Sequence, residues 1–246
     1  MAYDDFKQRS SGKIPSTDYY KEQLQAKLTS VFNLASDVYT IKKLNRATSL
    51  YEDISVRITP WFGEAHDEDV KDDYKRLYFE DLDSTNFLGD MYEFDGYRWM
   101  SVNREGIKTI TKDCTIRRCN IQLRFSETLS STPIVIDAIS TRKMLLPISG
   151  QYVELPHGRL KIFIPNSLDA NKLRFTPKPT RFLLGNKDLN NKYQSWEIES
   201  IDTISHVRKT IDNSVADSGY IALDLKFSEL SPKDNMTTGI AWQHYY

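Results

Sequence analysis

Residues 91–102 read MYEFDGYRWMSV and carry the clearest signal of the fold. Asp95-Gly96 separates two aromatic-rich runs, and an Asp-Gly pair in this setting is a strong signal for a β-hairpin. A period of two also appears in residues 54–59, where isoleucine and valine alternate with Ser, Arg and Thr before Pro60 ends the run. These patterns predict a mainly β protein.

Short runs of the same kind continue along the chain and are separated by turn residues. Further strands are predicted at 74–82, 91–94, 97–102, 115–125, 134–139, 160–164, 181–184, 196–201 and 220–227. Short strands at this density indicate two tandem small β-barrel or β-sandwich domains. Trp99 and Trp196 each follow an aromatic-flanked turn, and we predict that each is a core residue of a separate domain.

The domain boundary is predicted within residues 126–133, SETLSSTP, because this polar stretch carries a proline and interrupts the strand pattern. The predicted layout is a flexible arm at 1–15, a helix and connector at 16–49, a first β domain at 50–128 and a second at 129–246. The arm is assigned because residues 1–15 mix charge, Ser, Gly and Pro without periodicity.

Residues 17–35 are predicted to form an amphipathic helix, with Ser16 or Thr17 as its N-cap. Its apolar residues recur at helical spacing, and a stripe this apolar needs a partner surface. We expect this helix to dock in an assembly through Tyr20, Leu24, Leu28, Val31 and Phe32.

The overall composition argues against several functional classes. The 33 basic and 34 acidic residues nearly cancel, so the chain lacks the positive field that draws proteins to nucleic acid regardless of its sequence. No run approaches the ~20 apolar residues of a membrane span, and the first residues lack the pattern of a secretion signal. We therefore expect a soluble protein without a membrane partner. Cys114 and Cys119 are five residues apart on a predicted strand, and this odd offset points their side chains to opposite faces. The spacing therefore argues against a disulfide between them.

Residues that would carry chemistry are scarce. Nucleophile-elbow, phosphate-loop, dinucleotide and zinc-hydrolase motifs are all absent, and the four histidines are scattered. The sequence thus predicts no enzymatic activity, no catalytic residue, no cofactor and no metal site.

The most conspicuous charge cluster is residues 66–73, HDEDVKDD, which we call the acidic segment. Its carboxylates are Asp67, Glu68, Asp69, Asp72 and Asp73. They do not follow EF-hand spacing, although hard cations do bind grouped oxygens. A solvated loop is the plain interpretation, and a loop that faces a channel lumen or a neighbouring subunit is the functional one.

Several motifs resemble structural proteins of phages of Gram-positive bacteria. They are FNLASDV at 32–38, DDYKRLYF at 72–79, the run from LGD at 88–90 to FDGYRWMSV at 94–102, RRCN at 117–120, RFLLG at 181–185, WEI at 196–198, and DN at 234–235 with GIA at 239–241. They extend over most of the chain. The resemblance is to the head-tail connector and head-closure, or stopper, proteins of the neck of tailed bacteriophages.

This resemblance implies a virion subunit that is assembled in the host cytoplasm as a homo-oligomeric ring of six or twelve copies. Its partners would be a portal or adaptor protein on one side and a tail-tube or tail-completion protein on the other. Packaged DNA would meet the ring only transiently, in its channel, and the ring would help to retain that DNA.

Two alternatives remain open at the level of sequence. The same domains would also suit a tail or baseplate adaptor. From another class, a carbohydrate-binding module or β-sandwich hydrolase would use Trp61, Trp99 or Trp196 as a sugar platform, with the carboxylates at 67–73 as acid and base.

Overall fold

The structure is a computed structural model of the 246-residue chain. It describes residues 17–45, 48–60, 73–81, 86–105, 113–126, 132–141, 143–145, 152–154, 157–175, 181–185, 187, 189–203, 207–208 and 218–243. The fold is mainly β with an N-terminal helix and two barrel-like sheets, as the sequence predicts.

The N-terminal half is a helix followed by a closed six-stranded barrel. Helix α1 spans Thr17–Leu34, and the strands are β1 (Val38–Leu44), β2 (Tyr51–Pro60), β3 (Tyr74–Phe79), β4 (Met91–Phe94), β5 (Tyr97–Glu105) and β6 (Asp113–Arg118). The order around the barrel is β1-β2-β3-β6-β5-β4. It closes where β1 pairs with β4, with Lys42 opposite Glu93 and Lys43 opposite Tyr92.

Alternate side chains of these strands fill the barrel, which is why the period of two is so clear in the sequence. Trp99 is buried among them, and its ring stacks on that of Phe94 at a centroid distance of 4.8 Å. The core consists of Ile41, Val56, Leu77, Phe79, Tyr92, Trp99, Cys114 and Ile116.

The C-terminal half forms a second, barrel-like sheet. Its elements are β7 (Ile121–Phe125), β8 (Ile134–Thr141), β11 (Arg159–Pro165), helix α2 (Leu168–Phe175), β12 (Arg181–Leu184), β13 (Gln194–Asp202), β14 (Val207–Arg208) and β15 (Ser218–Ser228). A separate two-stranded sheet pairs β9 (Lys143–Leu145) with β10 (Tyr152–Glu154). The main order is β12-β13-β15-β11-β8-β7, and β14 pairs with β15.

The two end strands of this sheet, β7 and β12, approach each other over the core. Phe125 of β7 meets Phe182 of β12 edge to face, with ring centroids 6.2 Å apart. Trp196 is buried in the same cluster, as predicted, and forms an edge contact with Phe227. The two tryptophans therefore belong to separate cores.

The sheets meet along their outer surfaces. Met91 and Met100 of the barrel pack with Ile139 of the second sheet, and Phe163 and Tyr220 border this cluster. One main-chain hydrogen bond crosses the same region, from the Gly219 N–H of β15 to the Leu88 carbonyl at 2.7 Å. Apolar packing combined with this hydrogen bond holds the two sheets together.

Several elements differ from the sequence prediction, among them the short strands β9, β10 and β14, which were not predicted. The predicted strand 115–125 is two strands, β6 in the barrel and β7 in the second sheet, so the chain changes sheets at Cys119-Asn120 and not within 126–133. Residues 126–133 instead connect β7 to its hairpin partner β8. Strand β1, assigned to the connector, completes the barrel, and α2 was not predicted.

Helix α1 ends one residue before its predicted limit and packs only part of its surface on the barrel. Phe32 is buried, and the Gln25 side chain donates a 2.8 Å hydrogen bond to the Glu80 carbonyl. Neither helix among the described residues has the length and apolar character needed to cross a bilayer.

Candidate functional site at the domain junction

An open cleft of about 510 Å³ lies where the β4–β5 turn of the barrel faces the second sheet. We call it the junction cleft. Its polar and charged lining includes Tyr97, Arg98, Asn120, Gln122, Arg124, Asp137, Lys187 and Tyr193. These residues come from both sheets and from the Cys119-Asn120 connection between them, so the cleft exists only because the sheets are joined.

Arg98 organises one wall of the junction cleft. Its guanidinium donates to the Tyr51 hydroxyl at 2.6 Å and lies 3.3 Å from an Asp137 carboxylate oxygen. It also lies 3.1 Å from Glu93, and Gln122 donates to the other Asp137 oxygen at 2.9 Å. The charges of Arg98 and Asp137 are therefore already matched within the chain.

Arg124 and Lys187 differ from Arg98 in this respect. Arg124 donates to the Gln122 side-chain carbonyl at 3.0 Å, and the Lys187 ammonium lies 5.2 Å from the centre of the Tyr193 ring. Within the part of the chain that the structure describes, neither cation has a carboxylate partner. The junction cleft thus carries positive charge that its own carboxylate does not neutralise.

Cys119 lines the junction cleft, but its thiol is a poor nucleophile. Burial raises its pKa to about 12, and the nearby Asp137 acts in the same direction. Burial also raises the pKa of Cys114, inside the barrel, to about 12. Because the thiolate is the reactive form, both side chains behave as small apolar groups near neutral pH.

The acidic segment lies largely outside the described residues, which include only its last member, Asp73. Asp73 is not free: its carboxylate pairs with the Arg118 guanidinium at 2.5 Å. That guanidinium also lies over the ring of Tyr97 at the cleft, 4.9 Å from its centre. The described residues contain no group of His, Cys, Asp and Glu suited to hold a metal ion.

The predicted docking residues of α1 separate into two sets. Phe32 is buried and Leu24 and Leu28 are half-buried, whereas Tyr20 and Val31 are 54% and 49% exposed. Leu34, which was not among the predicted docking residues, is 85% exposed. Part of the apolar stripe, including Val31, therefore remains exposed to solvent.

Two of the three tryptophans proposed as sugar platforms are unsuited to that role. Trp99 and Trp196 are buried and offer no ring face to a sugar. Trp61, the third candidate, lies outside the described residues.

A polar clamp holds the C-terminal segment on the second sheet. Arg181 contacts both oxygens of the buried Asp234 carboxylate at 3.2 Å, and Asp234 also accepts a hydrogen bond from the Trp242 N–H at 2.8 Å. The Gln243 amide bonds with the main-chain N–H and carbonyl of Arg181, so it covers part of the edge of β12. Covering an edge strand limits unwanted strand pairing.

Comparison with known proteins gives little likeness. No protein-family model matches the chain, and no curated protein matches it. One solved structure aligned with it is described as "MrkH, A novel c-di-GMP dependence transcription regulatory factor". The alignment covers 87% of this chain and 86% of that one, at 8% sequence identity and a TM-score of 0.23.

Proposed function

We propose that this protein is a non-enzymatic structural subunit of a phage neck, where copies form a head-tail connector or head-closure ring. The sequence resemblance supports the neck, and the observation that carries the assembly role is the exposed apolar side of α1. Tyr20, Val31 and Leu34 fall within about 60° of one another around the helix axis, at ~100° per residue. Their side chains are 54%, 49% and 85% exposed, respectively, in the isolated chain.

An apolar strip on a helix is a recurrent means of docking between proteins. In the proposed ring, this strip packs on a neighbouring copy and loses its exposure to water. The joined sheets suit the same role. Shared packing and main-chain hydrogen bonding between them make the subunit a firm link between the partner rings on its two sides.

The neck role defines the partners. A portal or adaptor protein would lie on one side of the ring and a tail-tube or tail-completion protein on the other, with packaged DNA crossing the channel. The near balance of charge fits a ring that retains DNA without binding it tightly. A tail or baseplate adaptor would use the same helix in the same way, and labelling of particles separates these two positions.

The assembly step is tested with Val31→Asp. Val31 is 49% exposed, so the substitution is expected to leave the fold intact while placing a charge in the contact between copies. Size-exclusion chromatography with light scattering should show a ring for the wild-type chain and smaller species for the variant. Circular dichroism checks that the β signal is retained.

Asn33→Asp is the matched control, because Asn33 is an exposed residue of the same helix about 200° around the axis from Val31. It adds the same charge and should assemble normally. Normal assembly of Val31→Asp, or equal damage by both substitutions, would contradict the role of the strip.

A further inference from the structure

The junction cleft has the chemistry of a receptor for carboxylates. Arg124 presents a planar guanidinium that can bind a carboxylate with two hydrogen bonds, and Lys187 adds a second cation. Within the described residues neither cation has a carboxylate partner, and the cleft's own Asp137 is already bonded by Arg98 and Gln122. Tyr97 and Tyr193 add aromatic surface beside these charges.

The acidic segment supplies the complementary charge. Residues 67–72 contain four carboxylates and one lysine, in addition to Asp73, which is paired with Arg118. The cleft presents Arg124 and Lys187, because Arg98 is already matched within the chain. Twelve residues, 61–72, lie between the described end of β2 and Asp73. Because Pro60 pairs with Lys75, the two ends of this run lie side by side, and it can project at most ~20 Å from the barrel. That distance is enough to reach a molecule packed beside the barrel.

We propose that the junction cleft of one copy receives the acidic segment of a second copy. This inference rests on the proposed ring, because a heterologous interface that closes into a ring needs a donor patch and an acceptor patch on the same chain. The acidic segment is the donor, and the cleft cations are the acceptor. The carboxylates thus act as a contact between neighbours.

The contact is tested first with a peptide. The acceptor is the full chain carrying Asp67→Asn, Glu68→Gln, Asp69→Asn and Asp72→Asn, which removes competition from its own segment. The probe is a fluorescently labelled synthetic peptide of residues 64–73, EAHDEDVKDD. Fluorescence polarisation should show saturable binding that weakens as salt is raised, because the attraction is between charges.

Adding Arg124→Glu and Lys187→Glu to the acceptor should weaken binding at least tenfold. Lys42→Glu with Lys233→Glu is the matched control, since it makes the same change in net charge at exposed lysines outside the cleft and should leave binding nearly unchanged. A peptide in which every Asp is Asn and every Glu is Gln should not bind. No binding by the acidic peptide, or equal loss in both acceptor variants, overturns the proposal.

A single-stranded oligonucleotide is tested on the same acceptor, because phosphates also bind arginine and lysine. Weaker binding than the peptide at equal salt supports the proposed occupant. Tighter binding that depends on Arg124 and Lys187 would show that the cleft is a nucleic-acid site and would overturn it.

Assembly then separates a contact between copies from one within a chain. The cleft variant Arg124→Glu/Lys187→Glu and the segment variant Asp67→Lys/Asp69→Lys should each fail to form rings alone. Mixed in equal amounts they should assemble into alternating rings. The glutamates of the altered cleft then meet the lysines of the altered segment, and the native cleft meets the native segment. A mixture that behaves like its components indicates a contact within one chain and overturns the proposal.

These measurements need only the purified chain, so their outcome is separate from that of the neck assignment. If particles lack the protein at the neck but the peptide and mixing results hold, the neck role fails and the contact between copies stands. If the neck is labelled but the peptide does not bind, the ring stands and this contact fails.

Discussion

At the scale of single residues, Gly89 marks a close approach of the two sheets. Its φ is +75°, in the left-handed region that favours glycine, and a Cβ added there would lie 1.9 Å from the Gly219 carbonyl oxygen. The Gly219 N–H meanwhile donates to the neighbouring Leu88 carbonyl. The joined sheets therefore depend on the absence of a side chain at position 89.

Gly89→Ala should destabilise the protein by on the order of 3 kcal/mol or more, because it adds a backbone clash to left-handed strain that alone costs about 1–3 kcal/mol. Urea unfolding measures this change. Gly96→Ala is the control, since its φ is +74° but nothing lies within 4 Å of the added Cβ. It should cost only about 1–2 kcal/mol. Equal losses for the two variants would argue against a tight junction at Gly89.

At the scale of elements, the predicted positions agree best with the structure for strands that have one buried face and one solvent-exposed face. Strands β2, β5 and β15 alternate clearly, and α1 shows a helical stripe, so their positions agree with the structure to within a few residues. Strand β1 was missed because only Ile41 of its seven residues is fully buried. Its β-branched residues were the available signal.

The boundary between the sheets was misplaced for a different reason. The apolar alternation changes phase between the two strands: Cys114 and Ile116 belong to the barrel core, whereas Ile121, Leu123 and Phe125 belong to the core of the second sheet. The polar pair Arg117-Arg118 lies at this change and was the available signal for a break. Which sheet a strand joins is decided by partners far away in sequence, so periodicity alone could not assign β7 to the second sheet.

Where α1 gives way to β1, Asp37 bonds with Arg57 of β2 through two hydrogen bonds of 2.9 Å. The hydrogen bond from Arg57 holds the pKa of Asp37 below its usual range. A carboxyl whose pKa is lower in the folded state stabilises the fold above its unfolded pKa, near 4, and the contribution is lost as pH falls through the folded value.

Asp37→Asn should therefore lower the thermal midpoint at pH 7, and its difference from the wild type should shrink as pH falls below about 4. The effect should be small, because exposed ion pairs contribute little. Thermal melts at both pH values measure it. Asp53→Asn, at an exposed position on β2, is the control for the removal of one carboxylate. A difference for Asp37→Asn that persists at low pH would contradict this account.

At the scale of the whole molecule, the junction cleft is the feature that sequence reasoning did not find. Its cations come from residues 98, 124 and 187, which are distant in the chain and belong to no common motif. Each looks like an ordinary surface charge until the two sheets are joined. By contrast, the absence of catalytic motifs and the acidic character of residues 66–73 could be read from the sequence directly.

The molecule combines three features: joined sheets, a helix with an exposed apolar strip, and a cationic cleft at the junction. Together they describe a building block with separate surfaces for neighbouring copies. The balanced charge leaves electrostatic contacts local, because interactions between exposed charges are screened beyond about 10 Å at ordinary salt. We therefore expect ring formation to depend on specific side chains and not on net charge.

The most direct test of the central claim is to locate the protein in phage particles. Gold-labelled antibody against this chain, imaged by negative-stain electron microscopy on particles of the phage that encodes it, should mark one position between the capsid vertex and the tail. Particles lacking the protein should appear as unjoined heads and tails. Label at the distal tail or baseplate, or joined particles in its absence, would contradict the neck assignment.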